Sequence, residues 1–315
     1  MKVFLINPPA KNLIKVVREG RCMQRKGAWT AVWSPLSLAL CATVLEQEGI
    51  EVSLLDYTVK EGTPEQLMSQ ISSRKPDLVV LNVTTPSIED DLKMVAMIKQ
   101  ACPETRTAIL GIHPTALPNE CFNACKELDY IIRREPEFTL RELCRAIKCS
   151  PDIPVCDPSA IASEGQEEKH IDLPLLVEDS TSTNKHIGLP LQVQGISFRN
   201  GDKIIHNPPR PWLDMDDLPF PAWHLIDTSD YIMPFHNVPF LLVATSRGCP
   251  YPCTFCADST YYGRGLRQRS PKRLVDELEW AGKEFGIYEF LFWSESFTLS
   301  RKFVMAVCDE IIKRQ

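Results

Sequence analysis

No stretch of the 315-residue sequence reaches the roughly 18 consecutive apolar residues of a membrane-spanning helix. The apolar N-terminal stretch, residues 2–7, is too short for the core of a secretory signal. No membrane span is expected, and the cytoplasm is the expected address. Lysine and arginine, 35 together, form no run that would reverse the net charge of -6. The long-range field therefore repels phosphate backbones, and nucleic acid is not an expected partner. Glycine, at 14 residues, is far too sparse for a collagen-like repeat, and 44% apolar with 24% charged residues leaves no room for wholesale disorder. A soluble folded chain remains, long enough for about two domains at roughly 100–200 residues each. Cysteine is the one type in surplus. Twelve of them in a reducing compartment read as metal ligands or reactive thiols before disulfides.

Residues 1–149 repeat one rhythm of short apolar strand, turn and amphipathic helix, the pattern of a parallel sheet covered on both faces. The expected strands are Lys2–Asn7, Glu51–Asp56, Asp77–Val83, Thr107–Leu110 and Tyr130–Ile132. Helices are expected near Ser34–Glu48, Thr63–Ser73, Ile88–Cys102, Pro118–Lys126 and Thr139–Lys148. The fold class is α/β, a flavodoxin-like doubly wound sheet whose ligand sits beyond the C-terminal strand ends. Residues 150–194 turn to Ser, Thr, Asp, Glu and Pro and read as a surface insertion. In 195–239, Asn200-Gly201-Asp202 marks a hairpin expected to join the domains, followed by a proline-punctuated linker. Residues 240–315 hold two further β/α units: strands Phe240–Thr245 and Tyr288–Trp293, helices Pro271–Phe285 and Ser300–Lys313.

The first of these strands runs straight into Cys249-Pro250-Tyr251-Pro252-Cys253-Thr254-Phe255-Cys256, three thiols in the spacing CxxxCxxC. Cysteine thiolates are the usual ligands of iron–sulfur clusters, which take four in a closed site, so three leave one iron open. Prolines stiffen the loop and Gly248 permits its tight turn. A zinc knot is the alternative, but it wants a fourth ligand, and the candidates are the distant Cys308 and His236. A thioredoxin-like pair at Cys253 and Cys256 leaves Cys249 unexplained.

This loop, with Phe255 before its last Cys, resembles the signature of the radical S-adenosylmethionine superfamily. The doubly wound domain, the linker Asp216–Trp223 and the segment Gly263–Ser270 resemble its cobalamin-binding branch, so the likeness covers most of the chain outside 150–194. It implies a 4Fe-4S cluster on Cys249, Cys253 and Cys256, with S-adenosylmethionine chelating the fourth iron. One electron then cleaves the sulfonium to a 5′-deoxyadenosyl radical. Phe255 would lie by the adenine, and Glu295 would accept the methionyl amine; its plainer reading is a helix-entry carboxylate. Cobalamin is implied at Thr84, Thr85, Gly111 and His113 on adjacent strand ends, whose plainer reading is turn chemistry. The DxHxxG cobalamin motif is absent, and Arg134-Glu135-Pro136-Glu137 stands where many relatives carry Gly-Glu-x-Glu.

The expected function is a radical enzyme that methylates or rearranges an unactivated carbon of a small-molecule or lipid-like substrate, fed by an electron donor such as flavodoxin or ferredoxin. The alternative is a non-catalytic cobalamin-binding or docking module with a vestigial second domain. A full eight-unit barrel takes roughly 200 residues or more. Residues 240–315 are therefore expected to be a truncated partial TIM barrel, its missing strands supplied by a longer product or by another chain. Cys121, Cys125, Cys144, Cys149 and Cys156 read as packing before they read as a second cluster, and Cys22 as incidental in its loop before it reads as facing the corrin. Glu89-Asp90-Asp91 reads as a solvated first helical turn. The tryptophans, among them Trp29, Trp33, Trp223 and Trp293, read as core or interdomain contacts, Trp223 being the candidate that docks the halves.

Overall fold

The computed structural model describes residues 1–9, 18–19, 32–60, 62–149 and 192–314. The readings of Cys22, Trp29, Cys156 and nearly all of the 150–194 insertion fall outside them. The N-terminal unit runs β1 (Lys2–Asn7), α1 (Leu36–Glu46), β2 (Glu51–Asp56), α2 (Pro64–Arg74), β3 (Leu78–Asn82), α3 (Ile88–Ala101), β4 (Arg106–Leu110), α4 (Ile112–Ala116), α5 (Pro118–Ala124), β5 (Tyr130–Ile132) and α6 (Glu137–Cys149). Its five parallel strands lie in the order β2-β1-β3-β4-β5, the flavodoxin-like arrangement, with its switch point between β1 and β3.

Alternation along the strands builds two cores. Val3 and Leu5 face α1 and α6, while Phe4 and Ile6 face α2, α3 and α5. Local signals set the helix starts. Thr63 and Gln66 form a reciprocal capping box at α2, with Thr63 N donating to Gln66 Oε1 at 3.0 Å. α1 is apolar almost all round, which suits a helix buried on every side. It is packed between the sheet and the C-terminal unit, and both share one core.

The hairpin and α3 differ from what the sequence led us to expect. The hairpin expected between the domains, β6 (Ile196–Asn200) and β7 (Lys203–His206), pairs antiparallel with β5 and extends the sheet to seven strands. It covers the backbone edge that β5 would otherwise leave open, and Arg133 donates to the carbonyls of Ile196 and Asn207 to hold it. Asp91, expected in solvent, is buried and paired with Arg18 at 2.7 Å, whereas Glu89 and Asp90 are exposed.

The C-terminal unit consists of β8 (Ile232–Met233), β9 (Val238–Ala244), β10 (Ser246–Arg247), α7 (Asp258–Tyr261), β11 (Arg267–Gln268), α8 (Pro271–Phe285), β12 (Glu289–Trp293) and α9 (Arg301–Lys313). β9 and β12 are parallel neighbours in the order β12-β9-β8, and Ser270 and Ser300 cap α8 and α9. The linker is strapped to α1: Ala222 N donates to Ala39 O, Thr43 Oγ1 to Phe220 O, and Trp223 is fully buried. Trp33 and Trp293 meet at the same interface, ring centroids 5.0 Å apart. Among the described residues no helix is long and apolar enough to cross a membrane.

Gly111 ends β4 with φ +132°, a region open essentially to glycine alone, and an added Cβ would lie 2.2 Å from the Val83 carbonyl oxygen. Gly111→Ala is expected to cost about 3 kcal/mol of stability, read as a lowered urea midpoint.

Candidate functional site

β10 and β11 pair over two residues each, Ser246 with Gln268 and Arg247 with Arg267, and so pinch the base of an excursion that carries the cysteine loop and α7. Gly248 makes the tight turn into it with φ +81°; a Cβ there would fall 2.3 Å from the Gly265 carbonyl oxygen. Cys249 N donates to Gly263 O at 3.3 Å and Cys256 N to Cys253 O at 3.1 Å. The base is closed while the tip is open. Cys253 is exposed, Cys249 and Cys256 are half-exposed, and no disulfide joins the described cysteines. Phe255 is 91% exposed, so this apolar ring on the same loop has nothing of the protein covering it. Among the described residues no three His, Cys, Asp or Glu side chains converge on a single ion. A cluster asks less of the loop, because each thiolate binds its own iron.

Glu295 lies two residues beyond β12 and is half-buried. Next to it, Ser294 Oγ sits 2.6 Å from Ser246 Oγ, on the stem of the cysteine loop. Burial raises the Tyr262 phenol against the charge of Arg247, with the charges of Glu137 and Glu295 adding to the rise.

On the sheet, Thr84 is buried and its Oγ1 lies 2.6 Å from Ser87 Oγ, which donates to Asp91. Thr85 is exposed, and its Oγ1 lies 3.2 Å from His113 Nδ1. Burial lowers the His113 pKa against the pull of Glu120, favouring a neutral ring. Thr85 and His113 thus meet beside Gly111, and α4, which carries His113, touches α7 behind the cysteine loop. Cys121, Cys125 and Cys144 are packed, whereas Cys149, expected to pack, is exposed at the end of α6; burial pushes the Cys121 and Cys125 thiols up to about 11 and about 12.

Residues 28–144 match the family model of the B12 binding domain. Over this stretch the N-terminal unit is similar to B12 binding domains. The chain is 28% identical over 303 residues to an uncharacterised methyltransferase of Pyrococcus horikoshii, covering 96% of this chain and 55% of that protein. It is 27% identical over 292 residues to the anaerobic magnesium-protoporphyrin IX monomethyl ester cyclase of Cereibacter sphaeroides, covering 91% of this chain and 41% of the cyclase. The chain therefore spans about half the length of these relatives. Its fold matches the cobalamin-dependent S-adenosylmethionine radical enzyme OxsB, solved with aqua-cobalamin and S-adenosylmethionine bound, with a TM-score of 0.69 at 20% identity over 100% of this chain and 37% of that one. The resemblance to the cobalamin-binding radical S-adenosylmethionine proteins, read first from the cysteine loop and the sheet, is borne out.

The N-terminal unit is locked to the cysteine loop by ion pairs that sequence reading missed. Arg247, immediately before Gly248, donates to Glu137 Oε1 at 2.5 Å and to Glu135 Oε1 at 3.2 Å; all three side chains are buried. Arg267 reaches the same Glu135 oxygen at 2.8 Å, and Leu213 N donates to the other. Burial pulls the Arg247 pKa down, but Glu137, Tyr262 and Glu135 outweigh it and keep the guanidinium charged. Trp212 stacks between Arg134 and Arg267, their guanidinium carbons 4.7 and 5.1 Å from its ring. The one available signal was the Glu-Pro-Glu run itself, and nothing local told that its partner lay 110 residues downstream.

A second buried cluster closes the other side of the strand ends. Asn7 donates to Asp56, Asn82 to Asn7, and Tyr231 from the linker to Asp56 at 2.8 Å. Glu19 accepts from Ser37 N and Oγ at the start of α1, and burial pushes its pKa up to about 7, with Asp56 adding to burial and Ser37 and Arg247 opposing it.

Truncating Glu137 would leave Arg247 buried with half its partners. Glu137→Ala is expected to cost about 3–5 kcal/mol, measured by chemical denaturation, while Arg145→Ala at an exposed pair with Glu48 should cost under about 1 kcal/mol. Between the ordinary pKa of 4.5 and about 7, folded Glu19 binds more protons than it does unfolded. Stability from this group is full below that window and is lost as pH rises through it, by up to about 3 kcal/mol. Glu19→Gln should flatten that part of the stability–pH curve.

Proposed function

We propose that the chain supplies the cobalamin domain and the cluster loop of a radical S-adenosylmethionine enzyme, and that β9, β12, α8 and α9 are the first units of its partial barrel. The observation that carries this is three accessible thiols at the tip of a loop whose base is anchored, through Arg247, on the N-terminal unit. The donor set fits: three thiolates suit a 4Fe-4S cluster with one iron left for a chelating ligand. Methyltransferase and cyclase names among the relatives support methylation or rearrangement of an unactivated carbon, on a small-molecule or lipid-like substrate.

When bound, the cluster would supply one electron to S-adenosylmethionine and cobalamin would act as methyl carrier; a flavodoxin- or ferredoxin-like donor would feed that electron. The chain's own residues bind and orient. Cys249, Cys253 and Cys256 hold the cluster, Phe255 covers the adenine, and Glu295 accepts the methionyl ammonium. Thr84 and Gly111 shape the strand-end surface for the corrin, and Thr85 and the neutral His113 offer it uncharged hydrogen-bonding groups. Arg247, Glu135 and Glu137 fix the distance between the two cofactor sites and are positioning residues. Further strands, from a longer chain or a second one, would complete the barrel around the substrate.

Anaerobic reconstitution with iron and sulfide should give the chain an iron–sulfur absorbance whose reduced spin-resonance spectrum changes on adding S-adenosylmethionine. Cys253→Ala should abolish the cluster. Glu295→Gln should keep it and weaken the nucleotide's spectral effect about tenfold, the worth of one charge-assisted hydrogen bond. Hydroxocobalamin should co-elute with the full chain in gel filtration. Zinc alone at the thiols, or protein eluting without pigment, would overturn the corresponding half of the proposal.

A further inference from the structure

A pocket of about 180 Å³ opens between the N-terminal unit and α7, lined by Thr115, Arg133 and Arg134 on one side and Ser259 and Thr260 on the other. A whole drug-sized ligand wants about 300 Å³ or more, so the pocket takes a group rather than a molecule.

Around it Glu135 and Glu137 are engaged by Arg247 and Arg267, Glu142 is engaged by Arg210, and Asp258, next to Ser259, is buried. Among the described residues no carboxylate pairs with Arg133 or Arg134. Arg133 spends one nitrogen on the carbonyls of Ile196 and Asn207, its Nε is buried without a hydrogen-bond partner, and burial together with the neighbouring Arg134 lowers its pKa. Arg134 stacks on Trp212 but makes no side-chain hydrogen bond among the described residues. Its backbone sits at φ +64°, held by a bond from its N to Thr115 Oγ1. A left-handed conformation is strained for a non-glycine residue, and strain of this kind is concentrated at ligand sites. Two adjacent arginines and two hydroxyl-bearing residues line one small polar cavity, and guanidinium and hydroxyl groups are the donor types that a tetrahedral oxyanion accepts.

We infer that Arg133 and Arg134, with Ser259 and Thr260, form a subsite for a phosphate group at the domain boundary. The phosphate belongs either to the nucleotide tail of cobalamin or to a phosphorylated substrate, and the subsite stands whether or not the cluster loop binds iron.

The test uses the full chain without iron, cobalamin or S-adenosylmethionine, so its outcome is separable from that of the proposed function. At constant ionic strength, inorganic phosphate should raise the melting temperature in a saturable way, and Arg134→Gln should weaken the apparent affinity at least about tenfold. Arg134→Gly, which relieves the left-handed strain, should fold with no lower melting temperature in phosphate-free buffer and lose the phosphate effect as well. That combination separates lost binding from lost folding. The source is then read with hydroxocobalamin against cobinamide, which lacks the phosphate. Weakening by Arg134→Gln of the first alone assigns the tail, and weakening of neither assigns a substrate phosphate. No saturable effect of phosphate on the wild type, or the same midpoint in both variants, overturns the inference.

Discussion

Arg247 is buried between the carboxylates of Glu135 and Glu137, and the placement of the cysteine loop follows from that contact. Taking such charges out of water costs several kcal/mol per ion, an expense offset only when the geometry is close and the remaining hydrogen bonds are met. Here one guanidinium spans two carboxylates, Arg267 shares one of them, and a backbone amide takes another oxygen. An arrangement that demanding tolerates little displacement. Because Arg247 directly precedes Gly248 and Cys249, the stem of the loop is registered against the start of α6 in the N-terminal unit, while the thiols beyond it stay accessible.

Apolar packing supplies the bulk of the adhesion around this fixed point. α1 is shared by the two units, covered by the sheet on one side and by the linker and β9 on the other. The linker is itself pinned from the C-terminal unit: Arg269, buried with Glu277, donates to the carbonyls of Leu218 and Pro219. Hydrophobic burial is non-directional and holds the units together without choosing their registration. The ion pairs choose it.

The strand ends show a related division. At the N-terminal end of the sheet, Lys99 and Asp129 form a fully buried pair that ties α3 to the start of β5. At the C-terminal end, polar groups are concentrated instead: Asn7, Asp56 and Asn82 in one chain, Arg18 with Asp91 beside it, and Thr85 with His113 at the rim. A parallel sheet places its loops and ligands at this end.

The sequence by itself determined the elements and the chemistry-bearing loop. All seven expected helices lie within two residues of their expected bounds, and β1, β2 and β5 match theirs, because hydrophobic period and capping residues act within a few positions of one another. CxxxCxxC was legible for the same reason. The tertiary structure alone decided that the Asn-Gly hairpin completes the sheet, that Asp91 is a buried partner of Arg18, that Arg134 adopts a glycine-like conformation, and that Glu135 and Glu137 serve Arg247. Each of these joins groups tens to more than a hundred residues apart. A charged side chain reads as solvated until the fold brings its counter-ion to it, and no local pattern encodes which distant charge that will be.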